Sequence, residues 1–303
     1  MIAGPQQSFI KSRKVGVTAV RKDPAGIGMQ FMNDRPSRYW QEWTTADFEA
    51  ADRDRLIALL PVAAIEQHGP HLPLEVDACI NAGLIAETLE RLPTDIPLVV
   101  LPAQNVGWSD EHGRYPGTLS VAPGTLMATW RGLAANVANI GIRKFILFNS
   151  HGGQNELIKI VTRQLRIDHG MLATALNWYA LADLTKMFGA DERRFGIHGG
   201  AVETSLMLHL RPDLVRTDLA ENFVSTAVEQ SQTFDHLGPT GQVSYGWETQ
   251  DLHPSGVVGD ATAATAEKGR ALADQVAGRM VEVLRDIDGF DLARLADRPA
   301  GES

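Results

Sequence analysis

From about residue 39 onward, short apolar runs alternate with longer segments in which apolar residues recur every three or four positions. The short runs are typical of strands buried on both faces of a sheet, and they cover residues 56–62, 98–102, 144–149 and 172–176. The longer segments have helical spacing and cover residues 78–92, 126–140 and 154–169. Because strands that alternate with helices are joined by right-handed crossovers, we expect an α/β fold: a layered fold with a mostly parallel sheet flanked by helices.

Three further helices are predicted outside this alternation. Thr44 has the character of a helix cap and precedes a short helix that contains Phe48. Helical spacing returns over residues 202–210, and residues 262–286 form one long amphipathic pattern. We expect the last of these helices to cover the sheet.

The first 35 residues differ from the rest of the chain. Five basic residues lie between Lys11 and Lys22, and no hydrophobic period is sustained there. A nucleic-acid-binding arm or a transit peptide would have a similar composition, but a flexible terminus is the simpler interpretation. We therefore predict a flexible or disordered basic extension over residues 1–35, without a function of its own, and a catalytic domain over residues 36–303.

Composition and charge narrow the class of protein. Apolar residues make up 44% and charged residues 21% of the 303 residues, which is ordinary for a soluble globular protein. The formal net charge of −9 argues against binding to nucleic-acid backbones. No apolar stretch is long enough to span a bilayer, and the N-terminus lacks the apolar segment of a secretory signal. We expect a cytoplasmic protein with neither a nucleic acid nor a membrane as its partner.

The densest group of polar residues follows the first predicted strand, over residues 66–77. Glu66 and His68 are two positions apart, so an extended chain points both side chains to the same side, and a turn at Gly69 could return Asp77 toward them. Carboxylates and imidazole together are suitable ligands for Zn²⁺, Mn²⁺ or Fe²⁺. The alternative is a solvated loop with incidental charges. Since the chain has a single cysteine, any metal site must use His, Asp and Glu.

Other polar clusters also follow predicted strands or precede helices. His151 lies between a buried strand and a helix, beside two glycines that allow close approach of a ligand. Such a turn can also bind phosphate, although no phosphate-binding fingerprint is present. His198 precedes a predicted helix and Glu203 lies in its first turn, and both are candidate functional residues. The alternative is a structural role, in which His198 is an ordinary loop histidine and the Glu203 carboxylate stabilises the helix N-terminus. The segment 107–118, which includes Ser109 and Glu111, is a further candidate cluster. A structured loop with glycines at its turns is an equally good interpretation of this segment.

Taken together, these clusters resemble the creatininase family of metal-dependent amidohydrolases. The residues that carry the resemblance are 60–62, 65–73 with Asp77, 116–118, 149–155, 198–200 and 203–205. It extends from about Trp40 to Arg285, and three ordered motifs at compatible separations make it specific.

The resemblance implies a site for two divalent metal ions, Zn, Mn or Fe, at the carboxyl edge of the sheet. Glu66, Asp77 and His151 would bind one metal, and His68 with a bridging Asp77 the other. A further glutamate of creatininase falls at Gly153 here, so Glu203 is the best remaining carboxylate for the second metal. The resemblance also assigns proton transfer to His198, with Glu203 as its catalytic neighbour.

The resemblance further implies hydrolysis of C–N bonds other than peptide bonds, by a metal-activated water with a histidine as proton shuttle. We expect a small cyclic amide as substrate. Trp178 matches one enclosing aromatic residue of creatininase, but Gly152 and Arg194 stand at the positions of two others, which argues against creatinine itself. Arg194 would suit a carboxylate on the substrate, and Ser109 and Glu111 are further candidate substrate contacts.

Two alternatives remain open at the level of the sequence. One is a deformylase or short-peptide-cleaving hydrolase of the same family. The other is a non-catalytic, metal-binding oligomerisation module. Family resemblance also implies a homo-oligomer, and specifically a hexamer.

Overall fold

The computed structural model describes residues 37–295. The basic extension predicted for residues 1–35 lies outside the described residues, so the predicted division of the chain stays a prediction. Within residues 37–295, no helix is both long enough and apolar enough to cross a membrane.

A parallel sheet forms the centre of the described chain. Its strands are β1 (Ile57–Val62), β2 (Leu98–Val100), β3 (Lys144–Asn149) and β4 (Leu172–Asn177), in the spatial order β2-β1-β3-β4. All three strand pairs are parallel, and Ile57 lies opposite both Leu98 and Lys144. The predicted α/β fold with a mostly parallel sheet is therefore confirmed.

Helices connect and cover these strands. The helices that the sequence predicts are α1 (Thr45–Ala50), α2 (Val76–Arg91), α3 (Pro123–Asn139), α4 (Asn155–His169), α6 (Ala201–Leu210) and α9 (Ala266–Gly289). The shorter helices α5 (Ala190–Phe195), α7 (Thr226–Thr233) and α8 (Thr249–Leu252) were not predicted. Strands β5 (Asn222–Phe223) and β6 (Gly259–Asp260) form a small antiparallel ribbon.

The core lies on both faces of the sheet. In β1, Ile57 and Leu59 face the cluster that includes α2, α6 and α9, whereas Ala58, Leu60 and Val62 face the cluster that includes α3 and α4. This alternation follows from the pleat, which sends successive side chains to opposite faces. Because both faces are covered by helices, every residue of β1 and β3 is buried.

Side-chain caps account for two of the element boundaries. The predicted cap Thr44 is confirmed, since its hydroxyl accepts from the Asp47 backbone N–H while the Asp47 carboxylate accepts from the Thr44 N–H. The last helix begins later than its apolar pattern suggests, because Thr265 caps it by accepting from the Lys268 N–H. It packs on α2 and α6 and shares an apolar cluster with Ile57 and Leu59 of β1, so it covers this face of the sheet together with those helices.

The carboxyl ends of the four parallel strands lie at one edge of the sheet. Glu66 follows β1, His151 follows β3 and Trp178 follows β4 directly. In sheets of this kind, ligands bind in the crevice beyond these ends. The fold therefore brings the predicted polar clusters to one place.

Candidate metal centre

Glu66 lies at the centre of this edge, with 1% of its surface exposed. Its Oε1 is 3.5 Å from His112 Nε2 and 3.6 Å from His198 Nδ1, and its Oε2 is 3.2 Å from His151 Nδ1. His68 Nε2 lies 4.0 Å from Oε1. One buried carboxylate is thus surrounded by four imidazole rings.

The first ligand group consists of Glu66, Asp77 and His151, all buried. His151 Nε2–H donates to the Trp108 carbonyl at 2.8 Å, which leaves Nδ1 unprotonated in the neutral ring and facing the two carboxylates. Asp77 Oδ2 is 3.5 Å from that Nδ1. Asp77 lies in the first turn of α2, and the Ser150 hydroxyl donates to its carbonyl at 2.8 Å, which fixes the helix start to the end of β3.

The second ligand group consists of His68, His198 and Glu203. His68 Nδ1–H donates to the Glu66 carbonyl at 3.0 Å, and its Nε2 lies 3.8 Å from Glu203 Oε2. His198 Nε2–H donates to the Gln67 carbonyl at 2.7 Å, so Nδ1 is again the free nitrogen. The geometry places His198 in this group, where the resemblance implied a bridging Asp77.

Within the two ligand groups, three buried atoms make no hydrogen bond to any residue that the structure describes. They are Glu66 Oε2, His68 Nε2 and Asp77 Oδ2. Leaving such groups unsatisfied costs free energy, typically about 1–3 kcal/mol each. In each group the candidate ligand atoms lie within 4.8 Å of one another, and mixed nitrogen and oxygen donors suit Zn²⁺, Mn²⁺ or Fe²⁺. The residues present therefore fit divalent metal ions.

Burial and mutual charge shift the pKa values of these groups in opposite directions. Burial would raise the pKa of Glu66, but the imidazole of His151 outweighs it and holds the pKa well below the ordinary value. Burial and the Glu66 charge raise the pKa of Asp77 well above its ordinary value. Burial lowers the pKa of His68 far enough that its ring is neutral at pH 7, which leaves Nε2 available as a ligand.

His112 is a site residue that was not predicted from the sequence. The Gln67 amide is oriented by its neighbours, since Oε1 accepts from the Gly69 N–H at 2.9 Å and Nε2 donates to the Gly256 carbonyl at 2.7 Å. The same Nε2 lies 2.8 Å from His112 Nδ1, so Nδ1 accepts and the ring proton is on Nε2, facing Glu66. Burial lowers the pKa of His112 to about 3. His112 is therefore a neutral hydrogen-bond donor in this arrangement.

A cavity of about 1040 Å³ opens from the two ligand groups. Its wall includes the aromatic residues Trp108, Trp178, Tyr179 and Trp247. Trp178, a predicted substrate contact, is buried and lines the cavity. A pocket of this size lies at the upper end of the ~300–1000 Å³ range typical of sites for drug-sized ligands.

The other predicted substrate contacts have different positions. Glu111 lines the cavity with Oε1 3.4 Å from His151 Nε2, whereas Ser109 is fully buried with its hydroxyl 3.4 Å from the same nitrogen. Arg194 is exposed, with its guanidinium 4.8 Å from the centre of the Phe195 ring, and the adjacent Arg193 lines the cavity instead. Both arginines lie on α5, which determines which of them lines the cavity. This helix has only six residues and no apolar period that the sequence could reveal.

The sheet edge, the two ligand groups and the adjoining cavity define an α/β protein whose buried residues fit divalent metal ions. A model of the creatininase family, described as creatinine amidohydrolase, matches residues 41–284. The chain belongs to the creatininase family, so the predicted family is confirmed. The predicted class of hydrolase acting on amide C–N bonds is confirmed as well, with relatives named both amidohydrolase and peptidase.

Relatives with different substrates are similar to this chain. It is 30% identical to a mycofactocin precursor peptide peptidase of Mycolicibacterium smegmatis, over 73% of this chain and 82% of the relative. It is also 30% identical to the creatinine amidohydrolase of Pseudomonas putida, over 59% of this chain and 72% of the relative. Creatininase structures described as the Mn form and as a Zn-Zn type variant superpose on 84% of this chain and 100% of theirs, with 25% identity and TM-scores of 0.67 and 0.68.

Proposed function

We propose that this chain hydrolyses an amide C–N bond with two divalent metal ions per chain, Zn, Mn or Fe. Glu66, Asp77 and His151 would hold the first ion, and His68 with Glu203 the second. The observation that carries the proposal is that three buried ligand atoms lack hydrogen-bond partners, and that two of them, on Glu66 and Asp77, belong to residues that line one cavity. When bound, the ions lower the pKa of a water molecule and polarise the amide carbonyl.

His198 is the residue that we propose for proton transfer. Although His198 belongs to the second ligand group, it stays unbound to metal in this proposal. It lines the cavity, and its Nε2–H donates to the Gln67 carbonyl, so the metal-free Nδ1 can accept a proton from the attacking water and return it to the leaving nitrogen. Such general acid–base catalysis typically contributes ~10²–10⁴-fold to the rate. Glu203 Oε2 accepts from the Gly199 N–H at 2.6 Å, which fixes the backbone beside His198.

The dimensions of the cavity favour a substrate of short-peptide size. Its volume of about 1040 Å³ is larger than a single small ring can fill, and its aromatic wall offers contacts beyond those that such a ring can make. Arg193 is a cation in that wall and is suited to bind a carboxylate of the substrate. The sequence had suggested Arg194 for this contact. The similarity to a peptide peptidase supports the same substrate class.

A small cyclic amide is the second candidate substrate. It is favoured by Trp178, which follows β4 directly and lines the cavity beside the ligand groups, and by the similarity to a creatinine amidohydrolase. Such a substrate would occupy only the part of the cavity next to the ligand groups.

Product analysis with metal-loaded enzyme tests these proposals. Short peptides, N-formyl compounds and cyclic amides are supplied in turn: peptide cleavage gives two fragments, deformylation releases formate, and ring opening adds one water and releases nothing. We expect peptide fragments, and His198→Ala should lower their rate of formation while metal content is retained. Bound metal without turnover of any amide would favour the non-catalytic binding module.

We also propose that the chain forms a homo-oligomer in the cytoplasm, a hexamer by family resemblance. Light scattering on the eluting peak of a size-exclusion column gives the stoichiometry directly. A monomer at micromolar concentration would contradict this proposal.

A further inference from the structure

Glu111 lies near the ring nitrogen of His151 that does not face Glu66 and Asp77. Its Oε1 is 3.4 Å from His151 Nε2, the nitrogen that also donates to the Trp108 carbonyl. The other ring nitrogen, Nδ1, faces Glu66 Oε2 at 3.2 Å. A histidine that binds a metal generally donates its second ring N–H to a carboxylate or carbonyl, which fixes both its tautomer and its orientation.

The carboxylate of Glu111 occupies space that a side chain at Gly153 would need. A Cβ atom at this glycine would overlap Glu111 Oε1 and lie 2.6 Å from His151 Nε2. The preceding Gly152 belongs to the same 3₁₀ turn, yet a Cβ atom there would meet nothing within 4 Å. Neither glycine has a positive φ, so the requirement at Gly153 is one of space and not of backbone conformation.

We propose that Glu111 is a positioning residue for the first metal and that Gly153 provides the space for its carboxylate. The carboxylate and the Trp108 carbonyl together hold the His151 ring with Nδ1 directed at Glu66 and Asp77. This goes beyond substrate contact, the role that the sequence suggested for Glu111. The inference rests on the proposed function, because it requires a metal at His151.

Zn²⁺ affinity of the full chain, measured by competition with a chromogenic chelator, tests the inference. Outer-shell partners of this kind typically contribute ~10–100-fold to metal affinity. We expect Glu111→Ala and Gly153→Ala each to weaken the first site by that factor. Glu111→Gln should fall between Glu111→Ala and the unmodified chain, because an amide oxygen still accepts from His151 Nε2–H but carries no charge.

Two matched controls separate this effect from general damage. Gly152→Ala places the same methyl group in open space of the same turn, and Glu156→Gln neutralises another carboxylate of the same cavity. Both should bind Zn²⁺ as the unmodified chain does. Thermal unfolding of each metal-free variant verifies that the fold is kept.

The outcomes are distinguishable from failure of the proposed function. If the unmodified chain binds no Zn²⁺, the proposed function fails. If it binds Zn²⁺ but Glu111→Ala binds equally well, or Gly153→Ala behaves as Gly152→Ala does, the positioning role is overturned. A wild-type affinity in Glu111→Gln would also overturn it, since the carboxylate charge would then play no part.

Discussion

The two ligand groups differ in how completely the protein satisfies them without a metal. In the first, Glu66 Oε2 and Asp77 Oδ2 are both buried and unpartnered. In the second, only His68 Nε2 is unpartnered, and Glu203 Oε2 already accepts from the Gly199 N–H at 2.6 Å. A metal must displace an internal hydrogen bond in the second group, whereas in the first it contacts oxygen atoms that have no hydrogen-bond partner. We therefore expect the first group to bind a metal ion more tightly than the second.

Their structural supports differ as well. The first group is built on the ends of β1 and β3 and the first turn of α2, which belong to the sheet core. The second depends on the segment 196–203 and on α6, whose start is fixed by His71: Nε2–H of His71 is 3.0 Å from both the Gly199 carbonyl and the Thr204 hydroxyl. From this comparison we expect the affinity for metal to be higher where unsatisfied ligand atoms lie on a rigid support.

The largest effect is expected at the first group. Asp77→Asn keeps the shape of the side chain but removes a charged ligand, so the first metal should be lost and the hydrolysis rate should fall by ~10³-fold or more, since metal stabilisation of the transition state is worth several kcal/mol. Metal analysis and steady-state kinetics measure both. Full activity with unchanged metal content in this variant would show that Asp77 is not a metal ligand.

A smaller loss is expected at the second group. Glu203→Gln should weaken the second metal by at least the ~10–100-fold that outer-shell changes cost, while the first metal stays bound. Zn²⁺ titration by calorimetry should therefore show one tight and one weakened site. Equal weakening of both sites would mean that the groups are not independent.

Arginine substitutions test the cavity next to these groups. Arg193→Ala should raise KM for a substrate with a free carboxylate by ~10–100-fold, as expected for loss of a charge-assisted hydrogen bond of about 1.5–3 kcal/mol. Both arginines are exposed, but Arg194 does not line the cavity, so Arg194→Ala is the matched control and should leave KM unchanged. A raised KM in Arg194→Ala and an unchanged KM in Arg193→Ala would instead support Arg194 as the contact for the substrate carboxylate, as the sequence suggested.

The smallest effect concerns the pH dependence of stability. Burial lowers the pKa of His71 from the usual 6.5 to about 4, although the hydrogen bond to the Gly199 carbonyl acts in the opposite direction. Its Nδ1 is buried and makes no hydrogen bond to any described residue. The unfolded chain then binds a proton more readily than the folded one, so His71 should reduce stability as pH falls from about 6.5 towards 4. The free energy of unfolding of the metal-free chain should decline less steeply over this interval in His71→Gln. Parallel curves for both proteins would contradict this assignment.

Much of the fold was predictable because the strands are short apolar runs with helical segments between them. The bounds of β3 match the prediction, and Glu66 and His68 were identifiable from their spacing after β1. The role of His112 was not predictable, since its tautomer depends on Gln67 and, through it, on the Gly256 carbonyl far along the chain. The choice between Arg193 and Arg194 likewise depends on the register of a six-residue helix without an apolar period.

The contact between Glu111 and Gly153 illustrates the same limit. The sequence shows a glycine at position 153 and a glutamate at position 111, but nothing in the intervening residues indicates that one occupies the space of the other. Long-range packing of this kind becomes visible only when both loops are placed at the same edge of the sheet.

The number of metal ions per chain tests the central claim most directly. Elemental analysis by plasma mass spectrometry is made on the purified full chain after loading with Zn²⁺ or Mn²⁺ and removal of free metal. The account predicts close to two ions per chain, falling to about one in Glu203→Gln. A metal-free chain after loading would contradict it.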